Sequence, residues 1–329
     1  MKYIFILSAL LIMALQTEAN FFLPEMSRDG KTLNSSVLAV SRDSRSFAGL
    51  TYDYSDLKED GGSNTDYDIT TPGAFGSFST SDFSAQLETQ FAKSELGVTQ
   101  SSSDLSSLLL GYRLSNKMTL GLGYLQDEYE LGVDAKKVEA GGTLMFDGVV
   151  FGGSIAYREV DETSLDGGYF ILTAGMGQKE KNDIVEAGVQ LMTEGSDDLT
   201  RGKRFSIFSN MTKLIGSVEV DGSFKFGFGN YFKDDGNTTD GNNYTSLEFE
   251  IEAEFLVSNN FYLTPGLAYD SSNAPGTSED TSLVKIGNDF GYRRDNLDAT
   301  LAVDYIFVSE KNDIDYDGLG LGLNIAYLF

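Results

Sequence analysis

The chain has 329 residues, 24 Lys+Arg against 50 Asp+Glu, a formal net charge of −26, and no His, Cys or Trp. Those absences exclude His-dependent triads, His- or thiolate-bound metal centres and any disulfide framework, and the acidic balance argues against nucleic acid as a partner. The 36 Gly, 4 Pro, 17 Tyr and 23 Phe are a β-rich profile.

Residues 1–19 read as a secretory signal. Lys2 supplies the positive start, Tyr3–Leu15 the apolar stretch, and Ala19 the small residue before a cleavage expected ahead of Asn20. The apolar stretch falls short of the ~18 residues that cross a bilayer. No later segment approaches a transmembrane helix. Residues 20–44 form an N-terminal arm or small plug, and 45–329 a single β domain.

Within that domain the apolar residues recur with period two. Side chains of a strand alternate between faces, so each such row defines one apolar face and one small or polar face. Taken in chain order, the predicted strands are 45–54, 68–79, 83–93, 105–114, 118–125, 137–146, 149–158, 168–177, 184–193, 204–213, 215–232, 244–256, 261–270, 281–292, 297–307 and 318–329. Asp147-Gly148 has the chemistry of a type I′ hairpin turn. The last strand is the clearest: Leu319, Leu321, Leu323, Ile325, Tyr327 and Phe329 share one face. Alternation is weaker over 68–93 and 204–232, where merged strands would give fourteen or twelve instead of sixteen.

Short turns (115–117, 147–148, 257–260, 293–296) are interleaved with longer acidic connections near 55–66, 125–136, 158–167, 194–203, 233–243, 270–280 and 308–317. Tyr54, Tyr124, Tyr157, Tyr269 and Tyr305 end strands that lead into long connections. Tyr112, Phe146, Tyr292 and Phe329 mark the opposite end. Short turns on one side, long loops on the other and an aromatic girdle at each end are the pattern of a transmembrane antiparallel β-barrel, not of a soluble sandwich.

The terminal strand, with Tyr327 and a final Phe329, resembles the C-terminal assembly signal of Gram-negative outer-membrane β-barrels, and residues 45–329 most resemble small porins. The resemblance implies a place in the outer membrane among its lipids, delivery by the barrel-assembly machinery, and a water-filled lumen. In porins the third external loop folds inward. The resemblance thus places Asp127, Glu128, Glu130 and Asp134 at a constriction, although 125–136 is short for that role.

Alternation then assigns an inner wall. Over 244–256 the inward residues are Glu248, Glu250, Glu252 and Glu254, a carboxylate row that a dry core cannot hold. Lys225, Lys285 and Asp289 are expected on neighbouring walls. The row reads either as a cation-favouring pore wall or as a hydrated face paired with Lys and Arg. Asp313, Asp315 and Asp317, followed by Gly318, copy the first half of a Ca²⁺ loop but lack its closing ligand, Asn324 standing in the twelfth position. No other cofactor is expected. Outward-facing Val138, Ala140, Gly142, Gly153, Ala174 and Ala187 form a sector of small side chains that suits a homo-oligomer contact.

The leading expectation is a non-enzymatic channel for passive diffusion of small hydrophilic solutes. A transporter of apolar substrates, with Phe21, Phe22 and Leu23 at the tip of a plug, is a second reading. A structural or lipid-organising oligomer is a third. Barrel phospholipases and omptin-like proteases use His, which this chain lacks, and no carboxylate pair has the setting of a glycosidase.

Overall fold

The structure is a computed structural model. It describes residues 46–60, 66–80, 82–96, 99–129, 133–162, 165–180, 183–193, 203–231, 242–273, 280–310 and 314–329; residues 1–19 and 20–44, where a signal and an arm are expected, lie outside the described residues.

Sixteen antiparallel strands close into one barrel. In chain order they are β1 (Phe47–Asp60), β2 (Asp66–Ser79), β3 (Phe83–Leu96), β4 (Thr99–Ser115), β5 (Met118–Tyr129), β6 (Val133–Phe146), β7 (Val149–Glu162), β8 (Leu165–Glu180), β9 (Asp183–Met192), β10 (Arg204–Ile215), β11 (Val218–Tyr231), β12 (Asn242–Leu256), β13 (Phe261–Asn273), β14 (Asp280–Arg294), β15 (Leu297–Glu310) and β16 (Ile314–Leu328). Each strand pairs with its sequence neighbours, and β1 pairs with β16 from Phe47↔Leu328 to Asp60↔Asp315. The expected count holds. The weakly alternating stretches remain separate strands: outward Gly76, Ser209 and Gly222 and inward Phe75 and Phe208 blur the apolar pattern, while the backbone ladders run on, apart from a gap at Thr71 and Pro72 on the β3 side of β2.

The alternation sorts the side chains by face. On β16, Leu321 and Ile325 are 47% and 45% exposed, whereas Asn324 and Ala326 between and beyond them are 1% exposed. Every strand presents at least one exposed large apolar side chain outward. Single exposed apolar residues are ordinary on soluble proteins; a belt encircling the molecule is not. At the end of the belt nearer the long connections, Tyr124, Val138, Tyr157 and Phe170 lie side by side on β5 to β8, with the Tyr157 and Phe170 rings 5.1 Å apart. At the other end Phe83 faces Tyr112, and the Phe261 and Tyr292 rings are 5.0 Å apart.

Asp147 and Gly148 have φ of 50° and 80°, the left-handed pair of a type I′ turn; in the β14–β15 turn only Asp295 has a positive φ, 53°. Most of the expected long connections are shorter than their composition suggests. β1 runs on to Asp60 and β2 starts at Asp66; β5 reaches Tyr129 and β6 starts at Val133; β15 reaches Glu310 and β16 starts at Ile314. Acidic and polar residues past the girdle resemble loop, but ladder hydrogen bonds are made by backbone and continue where the side chains cease to be apolar.

Candidate functional site

Sixteen strands about 4.8 Å apart form a ring of about 75 Å perimeter, about 24 Å across before tilt widens it. A ring of that width is not filled by the side chains of its own wall. The inner wall is therefore where the chain carries its chemistry.

On β12 the carboxylates Glu248, Glu250, Glu252 and Glu254 alternate with the exposed Phe249, Ile251 and Phe255 and so lie on the face opposite the apolar belt. β12 sets Glu248, Glu250, Glu252 and Glu254 opposite Lys225, Ser223, Asp221 and Glu219 of β11. Lys225 Nζ lies 3.1 Å from Glu248 Oε1, and the Ser223 hydroxyl donates to Glu250 Oε2 at 3.5 Å. Glu252 and Glu254 are both buried, and Arg293 Nη2 of β14 lies 3.6 Å from Glu254 Oε2. The two ends of the row are thus ion-paired, while two rungs of the ladder, Asp221–Glu252 and Glu219–Glu254, set like charges side by side. Asp270, on β13 next to Glu248, extends the acidic arc. Lys285 and Asp289 also face inward on β14.

Two inward clusters bring together residues of which the sequence points only to Lys285. In the first, Lys285 Nζ lies 3.7 Å from Asp304 Oδ2, and both residues are nearly fully buried. Asp53 of β1 interacts with both of them and accepts a hydrogen bond from Thr51 at 3.2 Å. In the second, near the short-turn end, Tyr262 of β13 lies flat over Gly291 of β14. Its hydroxyl donates to Asp298 Oδ1 at 2.8 Å and also bonds Thr300 at 2.8 Å. Arg293 stacks 4.6 Å from the Tyr262 ring and donates from Nε to Asp298 Oδ2 at 2.9 Å. Asp298, Asp304 and Thr300 occupy the even positions of β15, the complement of the apolar row Leu297–Tyr305, so alternation alone places them inward.

The inner wall also holds a seam of apolar packing that the sequence reading missed. Leu57, Tyr67, Ile69, Leu283, Ile306, Val308 and Tyr316 form one cluster at the long-connection end of β14, β15, β16, β1 and β2, each at most 7% exposed. A smaller cluster of Phe47, Phe75 and Ala326 lies at the other end of the same wall. Leu57 stands in the acidic stretch 55–66, whose composition is that of a connection, but pairing on both sides of β1 sets it beside Tyr67 and Gly318.

Across the ring, β3 to β10 carry a different chemistry. Inward hydroxyls and amides (Gln90, Ser94, Ser101, Ser103, Thr119, Thr143, Thr173) dominate. Charges there are mixed: Arg113, Lys137, Arg158 and Arg204 against Glu88, Glu139 and Glu186. Lys137 Nζ lies 3.6 Å from Glu139 Oε2.

The constriction expected from residues 125–136 is corrected. β5 and β6 stay paired as far as Tyr129↔Val133, so Asp127, Glu128 and Asp134 belong to strands of the wall and only 130–132 is left to connect them. Glu128 faces Asp134, and Gln126 donates to Glu128 along the strand. Glu130 lies outside the described residues. The bend expected for a Ca²⁺ loop is corrected likewise. Asp315 and Asp317 sit on extended β16, paired with β1 and β15, and Tyr305 donates its hydroxyl to Asp317. A strand separates alternate residues by ~7 Å, whereas such a loop must curl its carboxylates around one ion. Asp313 lies outside the described residues. Among the described residues no group of three or more carboxylates is arranged to hold a metal.

Gly142, Gly153 and Ala174 are direct neighbours across β6, β7 and β8, and Ala140 and Val138 continue the sector on β6; on β9, Ala187 faces the larger Met176 of β8, and Ala174 faces Val189. Tyr327 and Phe329 are exposed at the outer rim of the short-turn end, where the Phe329 amide donates to the Ser46 carbonyl at 3.1 Å.

No protein-family model matches the chain, and no curated protein sequence matches it. Among solved structures it is similar to CdiB from Acinetobacter baumannii, with a TM-score of 0.53 and 12% identity over 85% of this chain. It spans 60% of the length of that protein. It is also similar to a Pseudomonas aeruginosa FadL homologue, with a TM-score of 0.51 and 12% identity over 90% of this chain and 93% of the other. Pseudomonas aeruginosa OccK7 (OpdD) gives 0.48 and 11%, over 87% and 99%. At such identities the likeness is one of fold alone.

Proposed function

We propose that this barrel spans the outer membrane of a Gram-negative cell and lets small hydrophilic solutes diffuse through its lumen, cations in preference to anions. The observation that carries the reading is one ring with two opposite faces, an apolar belt all round its exterior and hydroxyls and charges on its interior. An outward belt of this kind is solvated by hydrocarbon and an inward carboxylate row by water. The acidic arc from β11 to β15 supports the cation preference, since it holds more carboxylates than Lys225, Lys285 and Arg293 neutralise.

The test is conductance in planar bilayers across a salt gradient. The purified protein is expected to give discrete channels with a cation-selective reversal potential. Glu250→Gln with Glu252→Gln is expected to move that potential towards zero. Absence of conductance from folded protein would refute the channel; an unmoved potential would refute the role of the row.

The Gly142–Gly153–Ala174 sector supports a homo-oligomer, because small side chains let a second barrel approach closely. Cross-linking through Gly153→Cys between subunits tests it. A monomeric mass with no adduct would refute it.

A further inference from the structure

Two of the chain's four prolines, Pro72 and Pro265, stand inside strands. Proline has no N–H to give to a ladder and is rare in the middle of a sheet. At Pro265 the β13–β14 ladder is unbroken, whereas the β12–β13 ladder skips from Glu252↔Gly266 to Phe255↔Leu263. The missing N–H therefore faces β12, and the Ala253 carbonyl has no ladder donor. The Thr264 hydroxyl does not replace it: the side chain is inward and buried, and Oγ1 makes no hydrogen bond among the described residues. Pro265 lies four residues from each of Phe261 and Tyr269, the girdle residues of its strand, so the gap is at mid-span. Pro72 differs. Thr70, close to it on β2, pairs with the girdle residue Tyr54, so that gap is within reach of interfacial water.

The outer face beside this gap carries the complementary group. Pro265 pairs with Asn288 of β14, which stands between exposed Ile286 and Phe290 and so faces outward. The Asn288 side chain makes one hydrogen bond among the described residues, from Nδ2 to the adjoining Asp289 carbonyl at 3.4 Å. Outward Ala253 and, on β11, outward Gly222 leave room for another surface to come close. We propose that a second copy of this chain docks on β12 to β14, about a two-fold axis that runs along the membrane normal and passes by Pro265. Ala253 and Asn288 lie on opposite sides of Pro265, so the rotation sets the carboxamide of each barrel against the orphaned carbonyl of the other. Hydrocarbon offers neither donor nor acceptor, and a polar group left alone in it is costly. A patch that presents both is complementary to itself, as a two-fold contact requires. The proposal rests on the membrane-spanning part of the proposed function and not on conductance. It is separate from the Gly142–Gly153–Ala174 sector, which lies on β6 to β8.

The absence of native Cys makes single-cysteine cross-linking clean. Full-length Ile286→Cys, next to Asn288 on the outer face, is refolded into vesicles of phosphatidylethanolamine and phosphatidylglycerol and then oxidised. Leu87→Cys, exposed on the outer face of β3, is the control. Folding is verified by heat-modifiable mobility. A disulfide-linked dimer from Ile286→Cys and none from Leu87→Cys is the expected result. Asn288→Val, added to Ile286→Cys, removes the donor. Pro265→Ala gives the Ala253 carbonyl an N–H within its own barrel. Each is expected to lower the dimer yield about 10-fold at limiting protein-to-lipid ratio. Equal yields from the two cysteines, no dimer from folded Ile286→Cys, or a yield left unchanged by either second substitution would overturn the proposal. If Ile286→Cys prevents folding, Leu267→Cys replaces it. The dimer is read equally well in a barrel that does not conduct, so failure of the channel reading is distinguishable from failure of this one.

Discussion

Replacing Asp298 with Ala strikes the most enclosed charge of the inner wall. Its side chain is fully buried, and it accepts from Tyr262 at one oxygen and from Arg293 at the other. Removing one partner of a buried pair costs about 3–5 kcal/mol, because the other charge is left uncompensated. Here the loss is smaller. Arg293 retains water access and Glu254 at 3.6 Å, and the Tyr262 hydroxyl retains Thr300. A destabilisation of about 2–3 kcal/mol is therefore expected for Asp298→Ala. Asp298→Asn, which keeps an acceptor for Tyr262, is expected to lose about half as much. The assay is reversible urea unfolding in vesicles, with Arg293→Met and the double variant completing a cycle. A coupling energy of about 1 kcal/mol or more between the two positions is expected. A cost for Asp298→Ala below about 1 kcal/mol, or strictly additive variants, would refute the argument that this cluster braces the short-turn end.

Three further outcomes are expected. A Cβ on Gly318 would collide with the Asp56 carbonyl oxygen across the β1–β16 ladder; Gly318→Ala should cost about 2–3 kcal/mol and reduce the fraction of heat-modifiable, folded barrel. Gly148 has open space around it but φ of 80°, so Gly148→Ala should cost only about 1 kcal/mol, all of it backbone strain, in the same urea assay. Lys225→Gln removes the partner of Glu248; it is expected to increase cation preference, read as a larger reversal potential, opposite in direction to the change for Glu250→Gln with Glu252→Gln.

How legible each part was depends on which interaction specifies it. The outer belt is written directly in the sequence: one face of Leu319–Phe329 is apolar at every position, and period two fixes which way each residue points. The inward position of Glu248–Glu254 follows from the same rule without further information. What sequence cannot supply is the neighbour. Tyr262, Arg293 and Asp298 are on three different strands, and only register brings them over Gly291. The β5–β6 connection misled for another reason. Asp127, Glu128 and Asp134 have the composition of a loop, yet they lie on strands that continue beyond the girdle, because pairing is a property of the backbone. Leu57 and Tyr67 were hidden by the same effect: the acidic residues around them resemble a solvated loop, while their own side chains turn inward and meet Ile306.

The join between β1 and β16 unites the two ends of the ribbon, and this has a consequence for how the cylinder comes into being. Until β16 has been made, β1 has no second neighbour, and a partial sheet would carry two raw margins of unpaired amides and carbonyls ready to stick to other chains. No smaller cylinder can form first and grow, because every shorter ribbon lacks its clasp. The ring has to be fastened in a single late event, and losing β16 would leave an unrolled curtain, not a narrower tube.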